Sequence, residues 1–345
     1  MLSQKERLLA KLRGEKTDRS PVICTGCVMN AAISEIMNYT GHTLPEAHND
    51  AVLMAALAGD IYEYTGFENL GVPFCMTVEA EVLGSEVNYG TLTCEPKITK
   101  ELYGSAKLVV TRDVDKMLNS GRIPKVAEAV SILARRFPDT PIVGNLTGPI
   151  TTAASLVNPL KLLKEFSKSS AECHRVLDYV TRLLIGFAKK MADNGVTVIS
   201  VGDPTATGEI LGPKIFREFA LYYNSLIVKV LNNCGIPVIV HICGDINSVR
   251  SQLPEIGANA VSTDAMINLC QLKADFPELI TMGNLSTYQL GIGSVASVVE
   301  QTAQLVRAGI DIISPACGLS TATSLELIRA MTDTVKNSII DVQNT

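Results

Sequence analysis

The segment PVIVHICGD at residues 237–245 is a short run of Val and Ile that ends in Gly and Asp. It follows a helical segment that ends at Cys234 and Gly235, where glycine closes a helix at little conformational cost. Such runs are typical of buried strands in a parallel sheet. Eight of them occur along the chain, at residues 21–26, 67–74, 142–146, 196–202, 237–243, 260–264, 280–284 and 310–315. The helical segments between them include residues 45–64, 125–136, 160–194, 213–233, 294–308 and 323–336.

Eight alternations of strand and helix predict an α/β fold, a closed (β/α)8 TIM barrel that forms one domain over residues 1–345. Because no G-x-G-x-x-G motif follows the first run, an open dinucleotide-binding sheet is disfavoured. The first residues predict an N-terminal helical extension, in which Ser3 and Glu6 have the spacing of a capping box. Residues 78–110 interrupt the alternation and contain the turn sequence Asn88-Tyr89-Gly90, which predicts a β-hairpin inserted after the second strand.

Composition and charge exclude several classes of protein. Apolar residues make up 47% of the 345 residues, which is enough for a large core. The net charge of -5 and an aromatic content of 5% disfavour nucleic-acid binding. No apolar run is long enough to span a membrane, and the N-terminus lacks the pattern of a secretion signal. With nine scattered cysteines, the pattern predicts a cytoplasmic protein with reduced thiols, and it leaves the oligomeric state open.

Two strand ends carry side chains that suit a metal ion. His241 and Cys243 lie two residues apart at the end of the fifth run, so both side chains point to the same face. Cys317 follows the eighth run, at the same end of a barrel. One imidazole and two thiols suit Zn²⁺, and three protein ligands leave a fourth position open for a substrate. The alternative is that both thiols lie in the core and that a backbone carbonyl satisfies His241.

Other polar residues follow the strands at this end. Asp264 ends the sixth run, where it would either reach the metal or cap the next helix. Cys24 and Cys27 form a C-x-x-C motif, which fits a redox pair, half of a zinc site or ordinary core thiols. Four residues that end the third and fourth runs are predicted to line a substrate pocket, with helix capping as the alternative for each. They are Asn145, Thr147, Asp203 and Thr205.

At these residues the chain resembles the uroporphyrinogen decarboxylase superfamily, and within it the methylcobamide:coenzyme M methyltransferases. The matching segments are LPEAH (44–48), PFCMTVEAEVLGSEV (73–87), GNLTGP (144–149), GDPTATGEILGP (202–213), HICGD (241–245) and SPACGLST (314–321). The resemblance implies that His241, Cys243 and Cys317 bind Zn²⁺. It also implies that Asp264 supplies a displaceable acidic ligand, where family members often have the longer Glu. The decarboxylases have an Arg-rich segment after the first strand, and the corresponding CTGCVMNAAISEIM (24–37) has no Arg.

The function implied by the resemblance is zinc-dependent methyl transfer from a methylated corrinoid, a protein-bound methylcobamide, to a small thiol such as coenzyme M. No D-x-H-x-x-G corrinoid-binding segment is present, so a separate corrinoid protein would present the donor. Met29 and Met76 are expected either at the barrel mouth, where they would suit a flat macrocycle, or in the core. Two alternatives are a metal-independent decarboxylase of the same superfamily and a corrinoid-binding homologue without turnover. The acceptor thiol and the direction of methyl flow are left open.

Overall fold

The computed structural model describes residues 2–25 and 30–338. The strands are β1 (Leu70–Val72), β2 (Glu86–Asn88), β3 (Lys97–Lys100), β4 (Ile142–Thr147), β5 (Val198–Gly202), β6 (Val238–Ile242), β7 (Ala260–Thr263), β8 (Thr281–Leu285) and β9 (Ile312–Pro315). Seven of them form one parallel sheet in the order β1-β4-β5-β6-β7-β8-β9, and β2 and β3 form a separate antiparallel pair.

Helices follow most strands of the large sheet and cover its outer face. They are α1 (Gln4–Leu12), α2 (Ser34–Thr40), α3 (Ala51–Thr65), α4 (Val78–Leu83), α5 (Val114–Met117), α6 (Ile123–Arg136), α7 (Pro149–Leu156), α8 (Pro159–Lys168), α9 (Ser170–Asp193), α10 (Gly208–Ile215), α11 (Tyr222–Asn233), α12 (Leu269–Asp275), α13 (Thr287–Ile292), α14 (Val295–Arg307) and α15 (Leu325–Lys336). The single helix expected over 160–194 is two helices, because Ser169 adopts non-helical angles (φ -145°, ψ 50°) between α8 and α9. Among the described residues, no helix combines the length and the apolar character needed to cross a membrane.

The sheet curls into a TIM-barrel-like ring, and the segment around Val22 lies between its two edges. Val22 forms a parallel bridge with Ile313 of β9, and its carbonyl accepts a 2.8 Å hydrogen bond from the N–H of Glu68, just before β1. The first predicted run therefore has the expected place but forms a bridge instead of a full strand. The physical reason is that side chains replace the backbone partners, since the Glu68 carboxylate accepts from Val22 N–H and the Asn69 side chain accepts from Cys24 N–H.

An apolar floor closes the N-terminal end of the ring. Side chains from seven strand segments pack together there with Leu8 and Leu12 of α1. The strand residues are Ile23, Val143, Val198, Ile239, Ala260, Met282 and Ile312. Ser3 is the N-cap residue of α1, and its side chain and that of Glu6 form a capping box. Arg7 of this helix pairs with the buried Glu68 at 3.1 Å, which fixes α1 against the ring.

The insertion after β1 is smaller than the predicted hairpin over residues 78–110. Its first residues form α4, which Gly84 caps at the C-terminal end, and the antiparallel pair is limited to β2 and β3. The turn sequence behaves as expected, because Asn88 accepts from the N–H of Gly90 and Gly90 adopts a positive φ of 76°. The prediction of a hairpin from residue 78 was therefore wrong at its N-terminal end, where the apolar face of α4 is buried.

Candidate functional site

His241, Cys243 and Cys317 come together at the carboxyl ends of β6 and β9. His241 lies within β6, and its Nε2 is 3.0 Å from the Sγ of Cys243. That sulfur is 3.4 Å from the Sγ of Cys317, much longer than the ~2.05 Å of a disulfide bond. All three ligand atoms lie within 4.8 Å of one another. The structure thus brings together the three predicted ligands, which we call the His–Cys–Cys cluster.

The imidazole of His241 is held in one orientation. Its Nδ1 lies 2.9 Å from the hydroxyl of Ser262, its register partner on β7. The ring is 2% exposed, so water does not compete for this contact. Because Nδ1 is engaged by Ser262, Nε2 faces the two sulfurs. The alternative in which a backbone carbonyl satisfies His241 is wrong, since a serine hydroxyl does so.

The cluster attracts positive charge. Burial alone would lower the pKa of His241, but the neighbouring Cys243 and Cys317 raise it to about 10. The same two sulfurs would stabilise a divalent cation. Around a tetrahedral Zn²⁺ with Zn–S near 2.3 Å and Zn–N near 2.0 Å, ligand atoms stand about 3.5–3.8 Å apart. The observed distances of 3.0 and 3.4 Å need only small side-chain rotations to reach that spacing, so the residues fit the ion.

Asp264 lies beside the cluster but is not one of its three members. Its Oδ2 accepts a 3.3 Å hydrogen bond from the N–H of Gly244, and its Oδ1 accepts from the N–H of Met266 at 3.2 Å. Gly244 follows Cys243 and adopts a positive φ of 69°, a conformation that favours glycine. The carboxylate therefore contacts the residue next to a predicted ligand, and backbone N–H groups from two separate segments hold its oxygens.

One of the four predicted pocket residues, Asp203, holds the start of α7, and Thr205 lies in the same network. The Asp203 carboxylate accepts from the N–H of Thr151 at 2.8 Å and from the N–H of Ile150 at 3.2 Å, at the start of α7. It also accepts from Asn224 at 3.1 Å. Thr205 joins this network through its N–H, which donates to the Thr151 hydroxyl at 3.0 Å. These contacts favour the helix-capping alternative for Asp203, whereas Thr205 contributes only its backbone N–H and its place in the substrate pocket stays a prediction.

The other two predicted pocket residues, Asn145 and Thr147, face the barrel interior from β4. Asn145 donates from Nδ2 to the carbonyl of Pro73 at 3.4 Å. Thr147 donates from its N–H and its hydroxyl to the Glu79 carboxyl, at 2.8 and 3.1 Å. Both are buried and lie on the strand two positions from β6 in the sheet. They remain our candidates for the substrate pocket.

The other predictions near the mouth have different outcomes. Cys24 is buried, and burial raises the pKa of its thiol, which suits a core cysteine. Its predicted partner Cys27 lies outside the described residues, as does Met29. Met76 is partly buried after β1.

A buried ionic cluster after β1 was missed from the sequence. Arg122 donates to the Sγ of Cys75 at 3.1 Å and to the hydroxyl of Thr77 at 2.8 Å, and it pairs with Glu81. Burial would raise the pKa of Cys75, but Arg122 and His48 lower it to about 6. The only sequence signal was the presence of charged residues in the apolar segment 73–87. Arg122 lies more than 40 positions away from its partners, so pattern alone does not pair them.

The chain is similar to known proteins over nearly its whole length. The family model described as uroporphyrinogen decarboxylase (URO-D) matches residues 3–338. A methylcobamide:CoM methyltransferase, MtaA of Methanosarcina barkeri, is 33% identical over 338 residues, which cover 95% of this chain and 96% of the relative. The methylcobamide:CoM methyltransferase MtbA of Methanosarcina acetivorans is 30% identical, with 96% and 97% covered. The solved structure of a methyltransferase from Methanosarcina mazei has a TM-score of 0.91 at 31% identity, over 97% of this chain and 99% of that one.

Proposed function

The chain belongs to the uroporphyrinogen decarboxylase family and is a methyltransferase, and from this premise we propose that it moves a methyl group from a methylated corrinoid to a thiol at a zinc site. The ligands would be His241, Cys243 and Cys317. The observation that carries this proposal is the convergence of one imidazole nitrogen and two sulfurs within 4.8 Å. This donor set suits Zn²⁺ and leaves a fourth position for an acceptor sulfur.

The reaction needs a nucleophilic sulfur. A free thiol with a pKa of ~8.5 is only about 3% thiolate at pH 7. When bound, Zn²⁺ would lower the pKa of the acceptor thiol, so that the acceptor sulfur is present as thiolate. The thiolate sulfur then forms a bond to the methyl carbon, while the cobalt–carbon bond breaks and leaves both electrons on cobalt. The products are a thioether and a Co(I) corrinoid.

Ionisation accounts for part of the rate. Raising the thiolate fraction from about 3% to nearly all is worth about thirtyfold, or about 2 kcal/mol. The remainder has to come from holding the sulfur in line with the methyl carbon. The chain contributes to this by fixing the cluster on rigid strand ends, with Ser262 orienting His241 at 2.9 Å.

Asp264 is our proposal for a displaceable fourth ligand. Its support is position, because its carboxylate bonds to the N–H of Gly244, the residue after Cys243. Rotation about its side chain would carry an oxygen from that N–H towards the cluster. The acceptor thiol would then displace the carboxylate.

We place the corrinoid donor on a separate protein. The sequence contains no D-x-H-x-x-G segment that would carry the corrinoid itself. Helix α13, which follows β8, leaves Tyr288 77% and Ile292 80% exposed. Both line a cleft of about 310 Å³ together with Gly318, the residue after Cys317. Exposed apolar side chains at this position support docking of a partner over the barrel mouth.

The test is anaerobic incubation with methylcobalamin and a panel of thiols, with Co(I) formation followed by absorbance. We expect about one zinc per chain and loss of the reaction on chelation. Cys317→Ala should lose both zinc and methyl transfer, whereas Cys270→Ala, on the exposed face of α12, should keep both. A reaction rate that does not change on chelation would exclude the zinc mechanism. Metal-independent release of CO₂ from a porphyrinogen would favour the decarboxylase alternative.

A further inference from the structure

We propose that Asn284 is a positioning residue of the metal site, where it holds the Asp264 carboxylate beside the His–Cys–Cys cluster. The inference rests on the proposed function, because it concerns the fourth ligand of that same zinc site. Asn284 lies near the end of β8 and is not itself a ligand in this proposal.

The Asn284 side chain crosses from β8 to the turn that follows β7. Its Nδ2 donates to the carbonyl of Asp264 and to the carbonyl of Ile267, both at 2.8 Å. A carbonyl oxygen only accepts hydrogen bonds, and the amide nitrogen carries two hydrogens, so Asn284 uses both of its donors on this turn. These two bonds fix the orientation of the amide group and close the turn from Asp264 to Ile267.

The side chain of Asn284 connects the ends of two strands whose backbones are no longer paired. Backbone pairing between β7 and β8 ends at Ser262 and Met282. Asp264 and Asn284 each lie two residues further along these parallel strands. The amide of Asn284 therefore takes over the connection at the point where the turn begins, since it reaches the backbone of Asp264 directly.

The same turn places the Asp264 carboxylate beside the metal site. Its Oδ2 accepts from the N–H of Gly244, the residue after Cys243, at 3.3 Å, and its Oδ1 accepts from the N–H of Met266 at 3.2 Å. An aspartate side chain is short and has few rotamers, so the position of its backbone limits where its oxygens can lie. By fixing the Asp264 backbone, Asn284 therefore also fixes the range of its carboxylate.

Removal of the amide donor should release the turn and weaken zinc binding. In Asn284→Ala the carbonyls of Asp264 and Ile267 lose this donor, and the carboxylate is free to move away from Gly244. Loss of a group that orients a metal ligand weakens metal binding by about 10- to 100-fold. Because Asn284 acts through Asp264, we expect the lower end, a Kd for Zn²⁺ about tenfold higher. Asn284→Asp keeps the size but replaces the donor with a carboxylate, so it should lose at least as much.

A double-mutant cycle tests whether Asn284 acts through Asp264. The Kd for Zn²⁺ of the full chain is measured by competition with a chromophoric chelator for Asn284→Ala, for Asp264→Ala and for the double variant. If Asn284 acts through Asp264, the double variant should bind Zn²⁺ no more weakly than Asp264→Ala alone, with a loss of about tenfold. Two independent losses of that size would instead multiply to about a hundredfold.

Co²⁺ in place of Zn²⁺ gives a second readout, which a general loss of stability would not change. Its visible absorption bands depend on the ligands, so Asn284→Ala and Asp264→Ala should show the same altered spectrum. Asn259→Ala is the matched control, because Asn259 also connects neighbouring strands but does so at the opposite end of the ring. Its side chain accepts from the N–H of Val238 at 2.8 Å. This control should keep the native Kd and spectrum, and circular dichroism verifies the folding of each variant.

The outcomes separate this inference from the proposed function. A native Kd in Asn284→Ala, losses that multiply in the double variant, or an equal loss in Asn259→Ala overturns the inference, and the proposed function stands if the chain still binds zinc and transfers the methyl group. If the Asn284 variants do not fold, Asp264→Ala decides, because a native Kd and spectrum overturn the inference and a tenfold loss with an altered spectrum supports it. A native chain that binds no zinc overturns both.

Discussion

Replacing Ser262 with Ala removes the hydroxyl that holds the Nδ1 of His241 at 2.9 Å. His241 is 2% exposed, so water cannot take the place of the lost partner. Leaving a buried polar group unpaired costs about 1–3 kcal/mol. Loss of an outer hydrogen bond to a metal-bound histidine weakens metal binding by about 10- to 100-fold, which agrees with that cost. We therefore expect the Kd for Zn²⁺ to rise by about 10- to 100-fold in Ser262→Ala.

The assay is competition for Zn²⁺ against a chromophoric chelator at constant pH. Ser262→Thr keeps the hydroxyl and should restore most of the affinity. Ser200→Ala removes another buried hydroxyl, on the neighbouring β5, without touching His241. An unchanged Kd in Ser262→Ala, or an equal loss in Ser200→Ala, would refute the argument that Ser262 orients the ligand.

Three further predictions concern the buried charges around the barrel mouth. Burial raises the pKa of Glu79 from 4.5 to about 7, so folding favours the protonated form of its carboxyl group. As the pH rises from about 4.5 to above 7, we therefore expect the native chain to lose up to about 3 kcal/mol in the free energy of unfolding relative to Glu79→Gln, as measured by urea unfolding across that range. Asp203→Ala removes the acceptor at the start of α7 and should cost about 2–4 kcal/mol in the free energy of unfolding while zinc content stays constant; loss of zinc without loss of stability would contradict its structural role. Arg122→Met leaves Cys75 and Glu81 without their buried cation and should destabilise the fold by about 3–5 kcal/mol. Arg217→Met, in an exposed ion pair, is the control and should leave the free energy of unfolding nearly unchanged.

The strands of the large sheet were predictable because of where they lie. Strands β4 to β9 are covered on both faces, so each is a short segment that is buried along its length, contains apolar residues and lacks charged ones, which makes it stand out in the sequence. The run predicted at 142–146 is one residue shorter than the observed Ile142–Thr147. The run predicted at 237–243 extends one residue beyond each end of the observed Val238–Ile242. The run at 21–26 also predicts a strand from its composition. The sequence pattern does not show that the side chains of Glu68 and Asn69, instead of a neighbouring strand, accept the hydrogen bonds of its backbone N–H groups.

Residues of the candidate site could be predicted where a reactive side chain lies at the end of a strand or directly after it. His241, Cys243 and Cys317 satisfy that condition, and the structure brings them together. The supporting contacts were not predictable, because each depends on a residue that is distant in sequence and has an ordinary side chain. Ser262 is one serine among many until the register of β6 and β7 places it beside His241. Asp203 illustrates the reverse case, since its position after β5 suggested ligand binding and its contacts hold α7.

The apolar floor beneath the proposed metal ligands determines the route of small molecules. Leu8 and Leu12 close one end of the ring together with the inward side chains of the strands. Small molecules therefore reach and leave the His–Cys–Cys cluster through the opposite opening, which the proposed corrinoid protein would also cover. In that arrangement the acceptor has to arrive before the donor docks, and the methylated product departs only after the donor has left, so the order of binding and release is compulsory.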